Sequence, residues 1–154
     1  MVRIYSFVVS GVLIVPNPNY KHTITIYNCL KAVDSATGKD IWYKTVINNC
    51  FYKVIGSLQI SGTTLISAPS YVVRIPQSEK YLPYKEWISN TDKANHFTIS
   101  ETDLIIHGAP SESITGVAPL TATNLVTLYK PDAFRIKLFS DNSSYFAPHY
   151  KVGG

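Results

Sequence analysis

Apolar and polar positions alternate one for one along several short runs of this chain, the period of a strand with one face on a core and the other in water. His22-Thr-Ile-Thr-Ile-Tyr-Asn28 alternates in this way. After the turn residues Asp34-Ser-Ala-Thr-Gly38, Ile41-Trp-Tyr-Lys-Thr-Val-Ile47 regains strand character, so the two runs predict a hairpin. Asn48-Asn49 then allows a tight reversal or a bulge that bends the chain into Phe51-Tyr-Lys-Val-Ile55. Tyr71-Val-Val-Arg-Ile-Pro76 reads as a further strand ended by its proline. In the last third, Asn124-Leu-Val-Thr-Leu-Tyr129 reads as a long strand, followed by a Lys130-Pro131-Asp132 turn. Next, Phe134, Ile136 and Leu138 point to one face and Arg135 and Lys137 to the other, and His149-Tyr-Lys-Val-Gly-Gly154 makes a short terminal strand.

Helix is scarce in this pattern. Pro83-Tyr-Lys-Glu-Trp-Ile-Ser-Asn90 predicts one or two turns, with proline at the first helical position. Ser100-Glu-Thr-Asp103 has the form of a capping box, but Leu104-Ile-Ile-His107 is too short an apolar run for a helix, so a turn into a buried strand is expected. Gly56 to Ser70 carries no charge and reads as a long loop or flexible hairpin; Gly116 to Thr123 is a second uncharged stretch. The expected fold is all-β: a single small β-barrel or sandwich with one short helical turn, long loops and an N-terminal β arm. The boundaries are residues 1–20 for the arm and 21–154 for the barrel domain. The run Met1 to Val15 holds one arginine and then apolar residues, the outline of a weak signal peptide, but it is shorter than the ~20 residues a membrane helix needs. Pro16-Asn-Pro-Asn19 follows it in place of a small-x-small cleavage site, so an ordered arm packing on a neighbouring subunit is favoured.

Composition supports one domain. With 154 residues, 45% hydrophobic and 16% charged, the chain can bury one sizeable core, and its eleven tyrosines suit pleated surfaces. The formal charge is +4 and the pI is near 9.0. Lys21, Lys31, Lys39, Lys44 and Lys53 are scattered, however, and three arginines form no stripe that would neutralise many phosphates. Cys29 and Cys50 fall in strands expected to be neighbours, so a disulfide is geometrically conceivable; buried free thiols are the expectation. The sequon Asn142-Ser-Ser144 matters only in a glycosylating compartment.

No catalytic constellation emerges. His22, His96, His107 and His149 are far apart and no pair has the spacing of a local metal site, so each is expected to be a surface or satisfied core residue. Ten carboxylates are dispersed, and nucleophile-elbow, P-loop and dinucleotide-binding motifs are missing. No enzymatic activity, cofactor, metal or small-molecule substrate is expected. The aromatics Trp42, Tyr43, Tyr81, Tyr84, Trp87, Tyr145, Phe146 and Tyr150 are better functional candidates, because aromatic residues fill both cores and interface anchors. Within that set the interface assignment falls on Tyr81, Leu82, Pro83, Tyr84 and Trp87, and on the terminal segment with Tyr150 and Val152.

The blocks Thr23-Ile-Thr-Ile-Tyr-Asn28, Lys44-Thr-Val-Ile47, Val72-Val-Arg-Ile-Pro76, Lys80-Tyr-Leu-Pro83, Thr102-Asp-Leu-Ile-Ile-His-Gly108 and His149-Tyr-Lys-Val-Gly-Gly154 occur in this order. In that order the chain resembles, from about residue 20 to its end, the minor structural proteins of the head-to-tail module of long-tailed bacteriophages and prophages of Gram-positive hosts. The resemblance implies a head-closure, or stopper, protein of the virion neck. Its relatives are small β-barrels that form a homo-oligomeric ring between the portal or adaptor and the tail-terminator, retaining DNA and later letting it pass. No membrane partner is implied, and assembly takes place in the host cytoplasm. In such a ring the charge-free loop, with Ser57, Gln59, Ser61, Thr63 and Thr64, is a candidate lumenal gate. The alternatives are a tail-terminator or adaptor of the same neck, a secreted β-sandwich binding module, favoured by a Cys29–Cys50 disulfide, and a small hydrolase.

Overall fold

The computed structural model describes residues 17–154, so the expected N-terminal arm lies, apart from its last four residues, outside the described residues. Asn17 to Tyr20 make a turn that leads into β1 (His22–Leu30). There follow β2 (Ile41–Ile55), β3 (Leu58–Ser61), β4 (Thr64–Ser67), β5 (Ser70–Pro76), α1 (Tyr84–Ser89), β6 (Leu104–His107), α2 (Ala122–Tyr129), β7 (Ala133–Arg135), β8 (Leu138–Asn142) and β9 (His149–Gly153). The fold is all-β in class: one antiparallel sheet in the order β7-β6-β1-β2-β5-β9-β8, and a separate two-stranded ribbon of β3 and β4.

The sheet curls because one strand serves two partners. The first part of β2 pairs with β1, and its last five residues pair with β5 instead. The change of partner falls at the expected bulge: Ile24 pairs with Ile47 but His22 with Cys50, and Asn49 takes the left-handed conformation at φ 57°. The outermost strands β7 and β8 are consecutive in the chain, joined only by Ile136 and Lys137. The Ile136 N–H donates to Asp103 O, and the Lys137 N–H donates to Gly153 O. The two edge strands are thereby carried by one stretch of chain, and the sheet curls into a half-barrel with β8 as an open edge.

Two cores result. Inside the curl, Ile24 and Ile26 of β1 pack with Tyr52, Val73, Ile75, Ile105, Phe134, Ile136, Tyr150 and Val152. On the outer face, Tyr27, Leu104, Ile106 and Ala133 are covered by α2 through Ala122 and Leu125, and by Ile114. From Ile24 onward β1 is therefore buried on both faces, and its polar residues find partners inside: Thr25 Oγ1 donates to Gly108 O at 2.8 Å.

Two expectations change. The run Asn124 to Tyr129 is helix, not strand: Ala122, Leu125, Val126 and Tyr129 recur at helical spacing against the second core, and the Thr121 hydroxyl caps the helix by accepting from the Asn124 N–H at 3.2 Å. Among the described residues there are therefore two helices rather than one helical turn. The run Phe134 to Leu138 is broken where the chain passes between sheet edges, which buries Phe134 and Ile136 but leaves Leu138 exposed. As expected, Cys29 and Cys50 are free and buried; each faces another residue across the ladder, Trp42 and His22 respectively. Burial pushes the Cys29 thiol up to about 11 and the Cys50 thiol up to about 12, so both are protonated and unreactive at neutral pH.

Candidate interaction surfaces and a histidine pair

The uncharged Gly56 to Ser70 segment folds as a hairpin that prolongs β2 and β5 beyond the sheet. The Ser57 hydroxyl donates to Ala68 O and the Ala68 N–H returns a bond to Ser57 O at 2.8 Å, continuing the ladder into β3 and β4. Cross-strand register sorts its side chains into two faces. Leu58 stands opposite Ser67 and Ile60 opposite Leu65, so one face carries Leu58, Ile60 and Leu65, which are 72%, 77% and 65% exposed. Gln59, Ser61, Thr64 and Ile66 occupy the other face, and Ser57 and Thr63, also exposed, sit at the foot and the tip. At the foot of the hairpin an apolar groove lies between β5, β8 and β9, lined by Tyr71, Val72, Leu138, Phe139 and Gly153.

A second exposed apolar group occupies the far end of the same strands. Pro76 of β5 faces His149 of β9, and there the turn between β8 and β9 presents Tyr145 and Phe146, the latter wholly exposed.

The residues singled out as an interface divide. Trp87 is completely buried: its indole N–H donates to His96 O at 3.4 Å and Tyr43 meets it edge-on at 5.5 Å. Tyr150 and Val152 belong to the inner core. These three are core residues: α1 is a short plug that turns Trp87 inward, and the alternation of β9 turns Tyr150 and Val152 inward. Tyr81 is half-buried on Tyr150 at 4.2 Å, Leu82 donates its N–H to Phe97 O at 2.9 Å, and Tyr84 donates to Asp34 Oδ2 at 2.8 Å. Only Pro83 of that group is exposed.

The structure also assembles two polar clusters. Asp103 is buried against β1: Oδ1 accepts from the Cys29 N–H at 3.0 Å, and Oδ2 accepts from Asn28 Nδ2 at 2.8 Å and from the Ser100 N–H at 3.0 Å. Burial nevertheless pushes its carboxyl up to about 6, against the pull of these donors. Asn28 extends the network to Thr98, donating to its carbonyl at 2.6 Å and accepting its N–H at 3.2 Å. The cluster ties the turn before β6 to the middle of β1, a structural role.

The other cluster pairs histidines 85 positions apart. His22 Nδ1 lies 3.1 Å from His107 Nε2, and Asp132 Oδ1 lies 4.0 Å from the opposite nitrogen of His107. The Tyr52 ring stacks on His107 with centroids 4.3 Å apart and planes within 5°. Spacing along the chain gave no sign of this pair; antiparallel pairing of β1 with β6, which sets Ile24 opposite His107, creates it. His96 and His149 bond locally to Asp92 O and Ala147 O. Among the described residues no set of three or more histidine, cysteine or acidic side chains converges on one point.

The curled all-β domain with projecting apolar elements belongs to a family: residues 19–154 match the family of unknown function DUF6751, and the chain is a member of it. No curated protein and no solved structure matches the chain. Among the described residues no helix is long and apolar enough to cross a membrane.

Proposed function

We propose that this protein is a ring-forming structural subunit of a tailed-phage neck, a head-closure protein that joins the portal or adaptor to the tail and retains packaged DNA. The sequence resemblance supplies the virion assignment. The observation that carries the assembly part is the hairpin face of Leu58, Ile60 and Leu65, three large apolar side chains left exposed on a ribbon whose main packing, among the described residues, is between its own two strands. A neck ring must make a lateral contact and two axial ones. The hairpin, the Tyr145-Phe146 turn at the other end and the open edge of β8 are three distinct apolar or strand-edge surfaces suited to unlike neighbours. An apolar hairpin fits a protein contact better than a wet lumen, so the gate role for Ser57, Gln59, Ser61, Thr63 and Thr64 is assigned to the polar edge of that ribbon alone.

Antibody labelling of purified particles, viewed by negative-stain electron microscopy, tests the reading. Label at the head-to-tail junction is the expected result, and absence of the protein from every particle would discard it. The secreted binding module loses the feature that favoured it, since Cys29 and Cys50 are free.

A further inference from the structure

We propose that His22 and His107 form a two-imidazole site for a divalent transition-metal ion of the zinc class, with Asp132 as a positioning residue for His107. Two nitrogens each about 2.05 Å from one tetrahedral ion lie about 3.3 Å apart. The observed 3.1 Å between His22 Nδ1 and His107 Nε2 is close to that span, so an ion placed to one side of the line between the two nitrogens can reach both once the rings tilt toward it. With no ion, the same distance is a single N–H···N hydrogen bond. Binding requires both facing nitrogens to be bare, so the shared proton moves to the outer nitrogen of its own ring and the pair keeps its total proton count.

The surroundings suit a metal better than a lone hydrogen bond. Asp132 Oδ1 lies 4.0 Å from His107 Nδ1, the nitrogen that must carry the proton when Nε2 is a ligand, so a small shift of the carboxylate would complete a carboxylate–imidazole–metal arrangement. The backbone keeps the two residues adjacent: the His107 N–H donates to Asp132 O at 2.8 Å. Tyr52 holds the imidazole plane by stacking, and its hydroxyl is buried with no hydrogen-bond partner among the described residues. His107 keeps a third of its side-chain surface exposed, so an ion has a way in. Imidazole ligands favour Zn²⁺, Cu²⁺ and Ni²⁺ over Mg²⁺ and Ca²⁺. Two protein ligands leave the remaining positions to water or to a group from a neighbouring molecule.

Isothermal titration of the full chain with ZnCl₂, supported by the visible spectrum with Co²⁺, tests the site. One ion per chain is expected, with a rise in melting temperature on zinc addition. His22→Gln and His107→Gln, which keep polar side chains and whose folding is checked by circular dichroism, should each weaken binding at least tenfold. Asp132→Asn should weaken it by about 10-fold or more. The control pair His96→Gln/His149→Gln should bind as the unaltered protein does. Imidazole ¹⁵N shifts should move at His22 Nδ1 and His107 Nε2 on zinc addition. Absence of zinc uptake, equal uptake by the His22→Gln/His107→Gln double variant, or shifts confined to the other histidines would overturn the proposal.

Discussion

Asp103 shows how a single side chain can be costly and useful together. Three N–H donors hold it in place, yet burial outweighs them and its carboxyl titrates at about 6 rather than 3.8. A folded-state value above the unfolded one means that the native protein binds the proton more tightly. This group's contribution to stability is therefore fully present below pH ~4, falls as pH rises through about 6 and is level beyond it. The expected outcome is a side-chain carboxyl ¹³C titration with its midpoint near 6, and an Asp103→Asn variant in which that component of the stability difference between pH 5 and pH 7 disappears. A midpoint near 4 would show that the donors win.

At the scale of elements, exposed apolar residues on the hairpin and buried ones in α1 call for opposite responses to substitution. Replacing Leu58, Ile60 and Leu65 by Ser should change unfolding free energy by no more than about 0.5 kcal/mol per site, because these side chains leave no cavity behind, and under the proposed neck role should abolish incorporation into particles. Trp87→Ala, by contrast, should cost about 3–5 kcal/mol in denaturant unfolding, because it empties a fully buried indole site. The same contrast explains what the sequence made legible. The strands β1, β2 and β5, the short α1 and the turn into β6 follow from local periodicity and turn chemistry, and the structure has them where the pattern puts them. α2 escaped because Leu-Val-Thr-Leu-Tyr is strand-rich in composition; its helical spacing has meaning only once β6 and β7 present a face for Ala122 and Leu125 to cover. Trp87 was misplaced because a large aromatic near a proline is equally at home in a plug or at an interface, and burial is not a local property. The His22–His107 pair could not be read at all, since strand register alone brings its members together.

The molecule as a whole depends on where its last residues lie. A side-chain carbon on Gly154 would sit 2.1 Å from Phe134 Cδ2 and 2.7 Å from Arg135 O, at the seam where β7 leads into β8, and the Gly154 carbonyl accepts the Tyr71 N–H at 3.2 Å. Gly154→Ala should therefore loosen the seam and lower stability by about 1–3 kcal/mol, with the largest loss of amide protection in β7 and β9 rather than in β1. The direct join between β7 and β8 also bears on how the chain acquires its shape. During synthesis the first six strands emerge before either outer strand, so the growing sheet has two bare rims and no means of closing on itself. Only once Ala133 to Gly153 have been made can one continuous piece of chain cover both rims, β7 on β6 and β9 with β8 on β5.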